Sequence, residues 1–322
     1  MQSTTGKNLF VRFLGSDMAG MIITVCVMLI GFAVLIPNFF LPASLRNIFI
    51  MSSTMGLAAI GESYLIISGH IDLSPGALSA FSGVFVGKLI AAGFHPVSAI
   101  ICVLLFGALM GFFNSVLVNN LKLQPFIATL ATMSLLRGFA FIINNGESIA
   151  IKEPRFLLLN TSRFLGMPFS VWVLIIMLVV FTVILKTTVF GRNVYIIGGN
   201  PTAARLAGIN CKRMIMALFM ISSTLTALGG ITLAARMNSG QPTASNGLEF
   251  DAITVAVLGG IALSGGKGSM TGTIFGIFIL QGFTNGLLML GVPSFWQYVA
   301  RGVLLVLALS FDTIRGYIQQ KL

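Results

Sequence analysis

The chain has 322 residues, of which 56% are hydrophobic and only 8% charged, against about 25% charged in a soluble globular protein. That balance excludes a soluble enzyme. The basic excess, 19 Lys and Arg against 8 Asp and Glu, falls between long apolar runs, as membrane topology signals do; nucleic-acid binding needs it clustered on a polar surface, so no nucleic acid is expected.

A helix needs about 20 residues to cross a bilayer, and apolar runs bounded by charge, Pro, Asn or Gly give ten candidate spans. Lys7 and Arg12 precede the first, Met18 to Ile36. Asp17 interrupts that start and no small-residue cleavage site follows, so the run reads as a span and not a removed signal. Then come Ile48 to Ser68, holding Glu62 and Tyr64; Ser74 to Ala92; Val97 to Val118, holding Asn114; and Pro125 to Ile143, holding Arg137. Val171 to Leu185 is slightly short, and Met214 to Ala235 follows. Phe250 to Leu263 is also short, Thr271 to Leu290 is ninth, and Phe295 to Ser310, with Trp296, Gln297 and Arg301, is tenth. The runs at Phe250 and Phe295 are candidates for broken or re-entrant helices in a protein-lined site. The expectation is an all-α polytopic membrane protein, one transmembrane domain over 1–322.

With the N-terminus inside, the inner segments hold Lys7, Arg12, Lys122, Lys186, Arg192, Arg205, Lys212, Arg213, Lys267, Arg315 and Lys321, and the outer ones only Arg46, Lys152, Arg155, Arg163 and Arg236. That bias places both termini in the cytoplasm. Asn144 to Pro168 is then outside, and the basic segment 186–213 inside. Ser264-Gly265-Gly266-Lys267-Gly268-Ser269 imitates a phosphate loop but fails the Walker pattern, because Gly follows the Lys. Any ATP hydrolysis belongs to another chain.

Gly69-His70-Ile71-Asp72-Leu73-Ser74-Pro75-Gly76 is echoed by Gly259-Gly260-Ile261-Ala262-Leu263-Ser264-Gly265-Gly266 at a shift of 190 positions. Both stretches fall on the cytoplasmic side, and transporters often contain repeats. The glycine pairs Gly107/Gly111, Gly229/Gly230, Gly272/Gly276 and Gly282/Gly286 read as close helix approaches.

Ionisable groups in hydrocarbon are costly and face protein or water. Glu62, Arg137 and Arg301 are such candidates, while Lys88 can snorkel to the interface. Glu62 either lines a polar route or pairs with Arg137. Trp296 and Tyr298 read first as interfacial anchors and second as a sugar-facing platform. Cys26, Cys102 and Cys211 are far apart, and His70 and His95 are the two histidines. Neither a disulfide framework nor a metal site follows, and no Ser/His pair or paired carboxylates suggest catalysis.

The sharpest local feature runs from Phe190 to Asn210. Gly198 and Gly199 lead into Asn200, which can cap a helix with Pro201 at its first position. Ala203, Ala204, Arg205, Leu206 and Ala207 favour helix, and Gly208 stops it. So short a helix is marginal alone, so a partner surface is expected to order it. Ala204 is expected at the contact, and Arg205 can offer a charge-assisted bond.

Three stretches resemble the permease subunit of bacterial ATP-binding-cassette importers for monosaccharides: Ser68 to Gly76; Gly191 to Asn210; and Ala235 through Ser239-Gly240-Gln241-Pro242, Glu249 to Ile253 and Gly259-Gly260 to Gly268. The resemblance implies a fold like that of the vitamin B12 importer. It implies a second copy or similar permease chain, an ATPase beneath holding ATP and Mg, and a periplasmic sugar-binding protein. The helix after Asn200 becomes the coupling helix, and Asp72, Ser74, Gly76, Gly265, Gly266 and Lys267 a cytoplasmic-face motif. No cofactor is bound directly. The alternatives are an ion-coupled secondary transporter, for which Glu62 alone supplies a well-buried carboxylate, and a permease of the same kind for a nucleoside or branched-chain amino acid.

Overall fold

A computed structural model describes residues 30–36 and 38–321, with side chains described as far as Ser310. The first expected span, Met18 to Ile36, lies almost wholly outside the described residues. A helical stretch over 30–35 leads to α1 (Pro42–Ile67), α2 (Pro75–Ala91), α3 (Pro96–Asn119) and α4 (Pro125–Ile142). Next come β1 (Ile149–Ala150), α5 (Pro154–Thr161), β2 (Arg163–Phe164), β3 (Met167–Pro168) and α6 (Phe169–Thr187). α7 (Val189–Gly199), α8 (Pro201–Leu206), α9 (Cys211–Met237), β4 (Ser239–Gly240), α10 (Leu248–Leu258), α11 (Met270–Met289) and α12 (Ser294–Lys321) complete the order.

Proline opens six of these helices, at Pro42, Pro75, Pro96, Pro125, Pro154 and Pro201. Its fixed φ suits the first helical turn, where its missing N–H costs nothing. The second span accordingly begins at Pro42, six residues before Ile48.

Among the described residues, six helices are long and apolar enough to cross a membrane: α1, α3, α4, α6, α9 and α11. α2 and the first part of α12 are shorter apolar helices. The run at Phe250 is short as a helix, as its length suggested: α10 has 11 residues, roughly 16 Å of helix. The run at Phe295 is unbroken, since α12 is continuous from Ser294.

α1 is the axis of the bundle. Its most apolar stretch is 89% buried, against 28% for those of α3, α4 and α6, which turn side chains such as Leu105, Phe126 and Val179 outward. Tyr64, Leu65 and Ile66 of α1 pack with Leu218 and Phe219 of α9, Val255 of α10 and Ile277 of α11 in one core. Glycines set the helix spacing, as expected. A Cβ on Gly111 would overlap the Phe219 carbonyl, one on Gly230 the Ser79 carbonyl, and ones on Gly272 and Gly276 the carbonyls of Gly259 and Val255.

The connecting segments separate to two ends of the bundle. At one, Gly266 N–H donates to the Ile67 carbonyl (2.8 Å) and Asn119 Nδ2 to the Lys212 carbonyl (3.1 Å), which brings together the ends of α1 and α3, the start of α9 and the segment after α10, with Gly198 of α7 packed on Ile67 beside them. At the other, β1 pairs antiparallel with β4 and β2 with β3. Arg155 there approaches His95 at 3.4 Å. This division matches the two sides assigned to these segments from the sequence.

The echo at a shift of 190 does not hold as a conformational repeat. Both helices end in the same turn, but it superposes at a shift of 191: Gly69 (φ +81) and Gly260 (φ +75) are the left-handed residues. Their N–H groups donate to the Ile66 and Val257 carbonyls. The same turn closes α2 at Gly93 and α8 at Gly208, so it needs only a glycine at that position.

Candidate functional site

Between α1 and α2 the chain runs without helix through the buried stretch Asp72 to Ser74. Buried backbone must be hydrogen-bonded, and three consecutive N–H groups are met by side-chain oxygens. Asp72 N–H donates to Glu62 Oε1 (3.1 Å), Leu73 N–H to Thr129 Oγ1 (3.0 Å) and Ser74 N–H to Asp72 Oδ1 (2.7 Å). Ser74 Oγ also donates to Asp72 Oδ1 (2.6 Å) and accepts from Asn114 Nδ2 (3.3 Å). Thr132 Oγ1 closes the network on Asn114 Oδ1 (2.6 Å). Glu62, Asp72, Ser74, Asn114, Thr129 and Thr132 are all buried, and Glu62 Oε2 has no hydrogen-bond partner among the described residues.

The start of α2 meets the start of α10. The Glu249 carboxylate occupies the space a side chain at Gly76 would fill, and the Ser245 carbonyl lies 2.7 Å from that same Cβ position. Glu249 is buried, and its Oε2 is unpartnered among the described residues. Ser79 and Ser245 hydroxyls bond at 2.9 Å. Arg137 from α4 donates to the carbonyls of Pro242 (2.8 Å) and Ala244 (2.9 Å), holding the segment that leads into α10. Asp251, one residue past Phe250, pairs with Arg301 of α12 at 2.9 Å, and that guanidinium lies 4.8 Å from the Tyr298 ring centroid.

The residues singled out in the sequence therefore divide into separate groups. Glu62 and Asn114 join Asp72 and Ser74. Arg137 and Arg301 sit around α10 instead, so the Glu62–Arg137 pair is not made: each finds nearer partners. Tyr64 is buried and donates to the Phe181 carbonyl. Gln297 is buried and donates to the Val292 carbonyl (2.8 Å), whereas Trp296 and Tyr298 are exposed, the placement of an interfacial anchor. The face motif splits too. Asp72 and Ser74 are interior, Gly76 faces Glu249, Gly265 and Gly266 pack on Gly69 and α7, and Lys267 is exposed.

α8 forms as expected, with Asn200 Oδ1 accepting from Thr202 and Ala203 N–H at 3.0 Å each. It ends at Leu206, with Ala207 as its C-cap. One expectation is reversed: Ala204 is buried against its own chain, whereas Leu206 is 86% exposed. Arg205 is exposed and donates to Thr202 Oγ1 (3.2 Å). In α7, burial pushes the Tyr195 phenol up, so it stays a donor, to the Gly268 carbonyl (2.9 Å).

Sequence reasoning missed Asp72 as an interior group, Glu249 as a buried acid and Asp251 as a half-buried, paired one. Thr129 and Thr132, hydroxyls three apart in an apolar run, were the available signal for the first network. No trio of His, Cys, Asp or Glu able to hold a metal occurs among the described residues.

Outward apolar helices around a buried axis, with interrupted backbone held by interior polar groups and a small helix standing beyond the bundle, define a polytopic membrane protein of the transport class. Residues 44–309 match the family described as "Branched-chain amino acid transport system / permease component", and the chain belongs to that family. It is 36% identical to the L-arabinose ABC transporter permease protein AraH of Azospirillum brasilense, over 92% of this chain and 88% of that one. It is 38% identical to the ribose import permease protein RbsC of Bacillus subtilis, over 89% of each. It is 40% identical to the probable ABC transporter permease protein YphD of Escherichia coli, over 90% of this chain and 87% of that one. No solved structure matches.

Proposed function

We propose that the chain is the membrane subunit of an ATP-driven importer that moves a monosaccharide across the bacterial inner membrane. ATP and Mg are held by a separate cytoplasmic ATPase, sugar is delivered by a soluble periplasmic binding protein, and a second copy or a similar chain completes the pathway. The observation that carries this reading is near-full-length similarity to permeases named for arabinose and ribose. Scarcity of carboxylates no longer argues against ion coupling, since Asp72 and Glu249 join Glu62 among the buried residues; near-full-length similarity to ABC permeases favours the ATP-driven reading. The family description names branched-chain amino acids, which makes those solutes the competing cargo.

The end of the bundle bearing α8 carries Lys122, Lys186, Arg192, Arg205, Lys212, Arg213 and Lys267, which supports a cytoplasmic placement. The segment 186–213 then meets the ATPase, with Leu206 as its apolar contact in place of Ala204. Leu206→Ser is expected to leave stability within about 0.5 kcal/mol, as for other surface changes, while reducing ATPase co-purification. Unchanged co-purification would remove Leu206 from the contact.

The test of function is uptake by vesicles holding the chain with its native ATPase and binding protein. Labelled arabinose, ribose and leucine are offered with and without ATP. ATP-dependent pentose uptake is expected; ATP-dependent leucine uptake alone would replace the cargo assignment, and ATP-independent uptake the whole reading.

A further inference from the structure

α8 reaches the bundle through the end of α7, and there three backbones meet without a side chain between them. A Cβ on Gly198 would overlap the Ile67 carbonyl and lie 2.6 Å from the Gly266 nitrogen. That same Ile67 carbonyl accepts the Gly266 N–H at 2.8 Å. The Cβ position of Gly265 is 3.0 Å from both the Gly198 carbonyl oxygen and the Gly69 nitrogen. Gly266 has φ +74, and its Cβ position is 2.8 Å from the Gly199 Cα. One turn back, the Tyr195 hydroxyl is bonded to the Gly268 carbonyl at 2.9 Å.

Side chains absorb small displacements by changing rotamer, whereas backbones in contact have no such freedom. The segment touched by Gly198 is continuous with α10. At its far end, α10 places Glu249 against Gly76 at the start of α2 and pairs Asp251 with Arg301 of α12. Along its length it is seated on Gly272 and Gly276 of α11.

We propose that Gly198 and Gly266, closed on the Ile67 carbonyl, form a positioning joint that passes displacement of α8 into α10 and thence to α2 and α12. This rests on the transport reading above, in which the ATPase moves α8. None of these residues contacts cargo; they act through α10.

The test uses the reconstituted full complex, with sugar taken up per ATP hydrolysed as the readout, because a merely structural role would lower uptake and hydrolysis together. Three variants are compared: Gly198→Ala, Tyr195→Phe and Gly199→Ala, the last because a Cβ there meets nothing within 4 Å. Gly198→Ala is expected to keep the ATPase bound and lower the ratio about tenfold, and Tyr195→Phe about threefold, the range seen for residues that carry coupling. Gly199→Ala should match the unaltered protein. If Gly198→Ala fails to fold, Tyr195→Phe against Gly199→Ala decides alone. A normal ratio in Tyr195→Phe, or equal loss in Gly199→Ala, overturns the joint while leaving the transport reading intact. Absence of ATP-driven uptake in the unaltered complex overturns that reading, and the joint with it.

Discussion

The segments after α1 and after α10 look like copies in sequence, yet they are held by different means. Asp72 to Ser74 is fixed by side chains: Glu62, Asp72 and Thr129 each accept a backbone N–H inside the bundle. Gly259 to Ser269 is held by backbone contact and its own turns, with Gly265, Gly266 and Gly268 at positive φ and Ser264, Lys267 and Ser269 exposed. At the shift of 190 Asp72 stands opposite Ala262, which offers no side-chain acceptor. A buried polar network resists movement because each displaced group loses a partner in a low-dielectric interior. The glycine segment is instead locked to Gly198 of α7 by backbone contact, so it follows that helix. On the proposed joint, the first loop is the anchor and the second the moving part.

Asp72→Ala should show the largest effect, because Ser74 N–H loses its acceptor in the interior. The expected loss is about 1–3 kcal/mol, read as lowered thermal stability in detergent. Asp72→Asn keeps an oxygen at that site and should recover most of it. Equal loss in the two variants would mean that the charge, not the acceptor, matters. Thr129→Val removes the acceptor for Leu73 N–H and should cost about 1–2 kcal/mol in the same assay. The smallest effect is expected at the second loop, where Lys267→Ala should stay within about 0.5 kcal/mol. A loss there as large as at Asp72 would erase the distinction between the loops.

Of the ten expected spans, the six that coincide with α1, α3, α4, α6, α9 and α11 were legible because about twenty apolar residues in a row leave few alternatives, and α8 because Asn-Pro and a following Gly mark both of its ends. Depth was not legible. Asp72 reads as a loop residue among Gly, Ser and Pro, and only the neighbouring helices α1 and α4 make it interior. The shortness of α10 depends on Gly247 and Gly259 bounding it inside an otherwise apolar stretch. The orientation of α8 was equally hidden, since six residues give too little periodicity to tell the buried Ala204 from the exposed Leu206. Proline marks helix starts at Pro125 and Pro201 in the sequence reading, and the structure gives Pro42, Pro75, Pro96 and Pro154 the same role.

The contrast between an anchored and a moving loop is tested most directly by amide hydrogen exchange on the complete complex in lipid, with and without nucleotide on the ATPase. The amides of Asp72, Leu73 and Ser74 should be strongly protected in both states, while those of Ala262 to Gly268 should change protection when nucleotide binds. Nucleotide-dependent exchange at 72–74 with no change at 262–268 would contradict the account.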